Sequence, residues 1–201
     1  MSINPNTVKL NQFGFDIIIR HDYSNKEQLP QIQDYRIKSF NYFKKYLENY
    51  PKQLTTFLDV WCFDKFNVDL AKGLWLEAKG LDLYPIEKDD DIYVHDFYEM
   101  DRLWKTFDII FVNHTLEHAD SVYRLMEQIK KVHNKDWLLF ISVPDGESEW
   151  AYSLYQSTTH FSILTYGFLL TTMQRFGYNV IPHRVELRPW CPELWFIWIK
   201  Q

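Results

Sequence analysis

The stretch that decides the fold runs from Phe107 to Pro144 and reads FDIIFVNHTLEHADSVYRLMEQIKKVHNKDWLLFISVP. Phe107 to Val112 is an almost continuous apolar run, as expected of a strand covered on both faces. A polar turn follows, carrying Asn113, His114, Glu117 and His118. A helix comes next, and Trp137 to Val143 reads as a second buried strand. Strand, helix and strand in succession make a βαβ unit, which favours a parallel sheet. Ligands of open α/β sheets bind just beyond the carboxyl ends of the strands. The NHTLEH turn belongs at that edge.

Outward from this unit the same alternation continues. Ile32, Tyr35, Phe40, Phe43, Leu47 and Tyr50 recur near helical spacing, and Pro51 ends that helix. TTFLDVW (55–61) is a short apolar strand, followed by a helical stretch to about Ala71. KGLDLYP (79–85) and DIYVHDF (91–97) are further strands, with Asp89, Asp90 and Asp91 in a surface loop. After Pro144 the segment DGESEWAYSLYQSTTHFS (145–162) is long for a loop, and such loops often carry function. Leu164 to Phe176 is predicted helical, with Leu164, Phe168, Leu169 and Met173 inward, Thr165 as N-cap and Gly177 closing the end. YNVIPHRVEL (178–187) and ELWFIWIKQ (193–201) form a closing strand pair; the second is too apolar for an exposed edge. Residues 1–30 are polar apart from Phe13 to Ile19, an arm or edge strand, and residues 31–201 form one domain. The expected architecture is α/β: a mostly parallel seven-stranded sheet, a C-terminal antiparallel hairpin, and helices on both faces.

Composition narrows the function classes. An 18% aromatic content beside only six glycines points to a core crowded with rings. The net charge of -5 argues against nucleic acid as partner. No run is long enough to span a membrane, and the N-terminus lacks the order of a signal peptide. Cys62 and Cys191 form no pattern, which fits a reducing, cytoplasmic setting.

Several of these segments, taken in order, resemble the class I methyltransferase superfamily, whose Rossmann-like domain binds S-adenosylmethionine. Leu58-Asp59-Val60-Trp61-Cys62-Phe63-Asp64-Lys65 stands where the family has an acid and a glycine-rich turn; the glycines are replaced by Trp61, Phe63 and Lys65. Gly80-Leu81-Asp82-Leu83 matches the second strand, and His95-Asp96 the third. Leu116-Glu117-His118 matches the family's LEH signature, and the run ending in Ser142-Val143-Pro144 its fifth strand. The resemblance covers roughly residues 40–200. It implies that Asp82 takes the ribose, Asp96 the adenine, and the turn with Asp59, Trp61 and Phe63 the methionine part. Asn113 would complete the cofactor side. His118, His114, Glu117 and His160 would line the acceptor side, with His118 as a base. The negative net charge favours a small molecule or sugar-like metabolite over nucleic acid as the acceptor.

Glycines at such a turn supply φ > 0 and bare backbone. Either the Trp61 and Phe63 rings plug the cofactor cavity, or they turn into the core and an altered site survives. A plugged cavity would make the chain a catalytically inactive binding or assembly module, with a protein partner or a second copy of itself. Asp59, inside an apolar strand, is expected to hydrogen-bond backbone. His114 and His118, four apart, would share a helical face. Glu117 or Asp120 could join them on a metal, yet the sequence offers no third ligand and no metal is expected.

Overall fold

The computed structural model describes residues 8–10, 15–17, 29–86, 89–148, 160–188 and 191–198. A short antiparallel pair, β1 (Val8–Leu10) and β2 (Phe15–Ile17), forms a two-stranded sheet of its own. The remaining elements are α1 (Leu29–Glu48), β3 (Thr56–Val60), α2 (Phe66–Lys72), β4 (Glu77–Asp82), β5 (Ile92–Val94), β6 (Phe107–Asn113), α3 (Val122–Val132), β7 (His133–Pro144), α4 (Tyr166–Arg175), β8 (Val180–Arg188) and β9 (Cys191–Trp198). Strands β3 to β9 form a seven-stranded sheet in the order β5-β4-β3-β6-β7-β9-β8. The first five pair in parallel, and β9 runs antiparallel to both β7 and β8.

Two cores, one on each face, explain why the central strands read as continuous apolar runs. Ile109 and Phe111 of β6 join Phe57, Phe140 and Trp195 beneath Phe40 and Phe43 of α1 and Val68 and Ala71 of α2. Ile110 and Val112 turn the other way and join Leu58, Ile141 and Phe196 against Leu125, Met126 and Ile129 of α3 and Met173 of α4. The aromatic excess is concentrated on the α1 face. Phe111 and Phe140 stack with centroids 4.8 Å apart, and Phe43 meets Phe111 edge-on at 5.4 Å. The apolar run in β9 is buried because the strand is internal to the sheet and its side chains divide between the two cores, Leu194 and Phe196 on one face and Trp195 and Ile197 on the other.

Helix ends follow their local chemistry. Ser121 caps α3 by accepting from the Arg124 amide, and Thr165 caps α4 by accepting from the Phe168 amide. Gly177, at φ 84°, closes α4: its amide donates to the Gln174 carbonyl at 3.0 Å and that of Tyr178 to Met173 at 2.9 Å.

Some expected boundaries shift. The strand expected over 79–85 starts at Glu77 and stops at Asp82. The one expected over 91–97 shrinks to Ile92–Val94, because Asp96 starts a 3₁₀ helix, Phe97–Leu103. Strand β7 begins at His133, four residues before Trp137. Phe168 points outward at 39% exposure, because in the first turn of α4 its ring lies toward Tyr123 rather than under the helix.

Candidate functional site

Strand β3 pairs with β4 on one side and β6 on the other, so the chain's winding reverses between β3 and β6. A crevice opens at such a switch point, beyond the strands' carboxyl ends. Two turns border it, one after β3 and one after β6.

The turn after β3 holds Trp61 and Phe63 in the left-handed region, each at φ 62°. For L residues that conformation costs on the order of 1 kcal/mol or more apiece, so the surroundings must impose it. The Cys62 amide donates to the Leu81 carbonyl at 3.0 Å, and the Phe63 amide to Asp82 Oδ2 at 2.7 Å. The other Asp82 oxygen accepts from the Tyr84 amide at 2.7 Å. Burial raises the pKa of Asp82, partly offset by these two amide donors. Asp82 thus clamps the turn from below. Gly80 is needed for the same reason, since a Cβ there would lie 2.5 Å from Cys62 Sγ. The Trp61 ring is half-buried: it meets His118 edge-on at 4.3 Å and Phe97 at 6.2 Å, linking the β3 turn to the turns after β5 and β6. Phe63 is half-buried.

Asp59 lies under this turn at 2% exposure. Its partner is a side chain rather than the expected backbone: Asn67 Nδ2 donates to Asp59 Oδ2 at 3.0 Å. Burial raises the carboxyl to about 7, against the opposing pull of Arg36 and Asn67. Arg36 was not evident as a site residue in the sequence. It pairs with Asp64 at 2.7 Å, donates to the Cys62 carbonyl at 3.4 Å and lies over the Phe66 ring. A buried cation from α1 thereby props up the turn.

The turn after β6 is tied down equally. Thr115 Oγ1 donates to the Val60 carbonyl at 2.9 Å, joining the two turns. Asn113 Oδ1 accepts from Ser39 at 2.9 Å and Ser142 at 2.5 Å, which commits that side chain to α1 and β7. Asp96 Oδ1 accepts from the Tyr98 amide at 2.8 Å as an N-cap. His114 sits at φ 54°, outside the Leu116–His118 3₁₀ turn, so it does not share a helical face with His118. Its ring lies instead between two buried carboxylates, Nδ1 3.0 Å from Glu117 Oε1 and Nε2 3.4 Å from Glu193 Oε1. Burial disfavours charge on His114, but Glu193 and Glu117 outweigh it and raise the imidazole to about 10. Burial acts to raise Glu117, and His114 reverses it to a net lowering. The sequence signal for Glu193 was a single acid in the apolar β9 run; Trp195 Nε1 donates to its other oxygen at 2.9 Å.

The tertiary fold also supplies what the sequence lacked. The Phe161 and Ser162 amides donate to the Glu117 carbonyl at 2.8 and 3.1 Å, docking the 160–162 segment beside the β6 turn; of the loop expected over 145–162, residues 149–159 lie outside the described residues. His160 then faces His118 edge-on, with centroids 4.8 Å apart. Ligand-capable atoms of Glu117, His118 and His160 lie within 4.8 Å of one another, so the histidine brought beside His118 and Glu117 is His160 rather than His114. Asp120 is not part of this group; it accepts from the Tyr98 hydroxyl.

Residues 33–183 match a family model described as a methyltransferase domain. No curated protein matches the sequence. Among solved structures, a SAM-dependent methyltransferase from Archaeoglobus fulgidus superposes with a TM-score of 0.68 at 17% identity, over 82% of this chain and 94% of that one. The plantazolicin methyltransferase BpumL, solved with SAH, gives 0.64 at 12%, over 90% and 92%. Phosphoethanolamine N-methyltransferase 2 of Haemonchus contortus, solved with S-adenosyl-L-methionine, gives 0.60 at 12%, over 80% and 52%. At these identities the likeness is one of fold. Among the described residues no helix is long and apolar enough to cross a membrane.

Proposed function

Because this chain belongs to the methyltransferase-domain family, we propose that it binds S-adenosylmethionine in the crevice between the β3 and β6 turns and methylates a small-molecule acceptor. The observation that carries the reading is the backbone at Trp61 and Phe63. Both keep the left-handed torsion that a glycine would adopt, although neither residue favours it. Strain of this kind is maintained where a site needs the geometry. Asp82 and Asp96 fit the ribose and adenine roles in this proposal. Both Asp82 oxygens and Asp96 Oδ1 keep acceptor capacity beyond the one amide each already takes.

When bound, the cofactor supplies an electrophilic methyl group. The chain's own part is to orient the acceptor and take up its proton. His118, with His160 beside it, is the group at the crevice suited to that task. The Glu117–His114–Glu193 array fixes the turn that carries His118.

A second reading has its own support. The Trp61 ring already rests against His118, as a plug would, and a plugged crevice describes an inactive binding module. Calorimetric titration with S-adenosylhomocysteine separates the two. Micromolar binding to the wild-type chain supports the cofactor reading. Binding only after Trp61→Gly supports the plug. Silence from both folded proteins overturns cofactor binding altogether.

A further inference from the structure

Glu117 is 2% exposed, and its two oxygens have different surroundings. Oε1 meets the His114 ring, whereas Oε2 is buried without a hydrogen-bond donor. A buried carboxylate oxygen of that kind calls for a cation or a proton donor. His118, 5% exposed, stands next in the chain, and His160 comes in from a segment 42 positions further on. The three donor atoms lie within 4.8 Å of one another. Ligands about 2.0–2.2 Å from one ion stand about 3.4 Å apart in a tetrahedron. Side-chain rotations that bring the atoms together by about 1.4 Å close that gap.

The support around these ligands is built as well. The segment after His160 is held by two backbone amides that donate hydrogen bonds to the carbonyl of Glu117 itself, and Ser162 Oγ donates to the Ala119 carbonyl at 3.2 Å. One ligand's backbone therefore positions another ligand's ring. The His114 contact orients the Glu117 carboxylate, as outer partners commonly do for metal-binding side chains.

We propose that Glu117, His118 and His160 bind one divalent transition-metal ion of the zinc or cobalt type. Two imidazoles and one carboxylate suit such ions better than magnesium or calcium, which prefer all-oxygen surroundings. Three protein ligands leave a position for water or for an acceptor hydroxyl or thiol, whose proton such an ion renders more acidic. That last role rests on the methyl-transfer reading; metal binding itself does not.

The test therefore uses metal alone. Untagged, chelator-treated protein is titrated with Co²⁺ by visible absorption and with Zn²⁺ by calorimetry, without cofactor. The expected result is saturable binding of one ion per chain, with Co²⁺ bands displaced by Zn²⁺. His160→Ala, at a half-buried position, should weaken binding by at least the roughly 100-fold that loss of an outer partner can cost. His183→Ala should leave it unchanged, because His183 lies on β8 against Tyr46. Glu117→Gln adds the carboxylate arm if it folds; the histidine variants decide the matter without it. Absence of saturable binding at millimolar metal, or affinity undiminished in both His118→Ala and His160→Ala, overturns the site. Metal binding without S-adenosylhomocysteine binding would retain the site and reject only the methyl-transfer reading.

Discussion

Replacing Asp59 with Asn should stabilise the protein at neutral pH. In the unfolded chain this carboxyl ionises near its ordinary value of 3.8, whereas burial moves it to about 7 in the fold. Between those values the unfolded state sheds its proton first. Stability attributable to Asp59 therefore falls as pH rises from about 4 to about 7, then levels off. The full separation corresponds to about 4 kcal/mol, and relaxation around the charge reduces what is measured to about 2–4 kcal/mol. Asn is the neutral isostere: it can still accept from Asn67 Nδ2, and Arg36 keeps its 2.7 Å partner Asp64. Asn67 Oδ1, buried without a hydrogen bond, gains a possible donor from the new amide. Urea unfolding of both proteins from pH 4 to pH 8 provides the comparison. Asp59→Asn should match the wild type near pH 4 and exceed it by about 2–4 kcal/mol at pH 8, or roughly 5–15 °C in Tm. A difference that stays flat across this range, or a variant less stable at pH 8, would refute the reasoning.

Two further outcomes follow from neighbouring contacts. Gly80→Ala places a methyl 2.5 Å from Cys62 Sγ and should cost about 1–3 kcal/mol; adding Cys62→Ala should recover most of that loss, and strictly additive effects in chemical denaturation would contradict the contact. His114, raised from 6.5 to about 10 by Glu193 and Glu117, contributes stability that is complete below pH 6.5 and lost as pH rises through 10. Glu193→Gln should lower the imidazole titration followed by NMR by about one unit or more, and an unchanged midpoint would remove Glu193 from that role.

The periodicity and order of elements were legible in the sequence because they depend on local pattern. The Phe107–Val112 run, the helix after it and the apolar C-terminal strand specify a sheet covered on both faces, whatever the details of its contacts. The polar turn after β6 was legible as well, since polar residues between two buried strands must surface at a strand end. The function of each polar side chain was not. Asn113 and Asp96 stand at family positions, yet their side chains are also engaged by Ser39, Ser142 and the Tyr98 amide. Trp61 and Phe63 read as losses of glycine, and only the fold reveals that their backbone keeps the glycine torsion while the Trp61 ring meets His118. His114 and Glu193 lie 79 positions apart and His118 and His160 42 apart, so their meetings depend on the winding of the sheet. Local sequence determined which segments become strands and helices, because backbone propensity and alternating burial act over a few residues. Tertiary structure alone decided which acids meet which imidazoles, because those distances arise only after β9 inserts beside β7 and the His160 segment docks on Glu117.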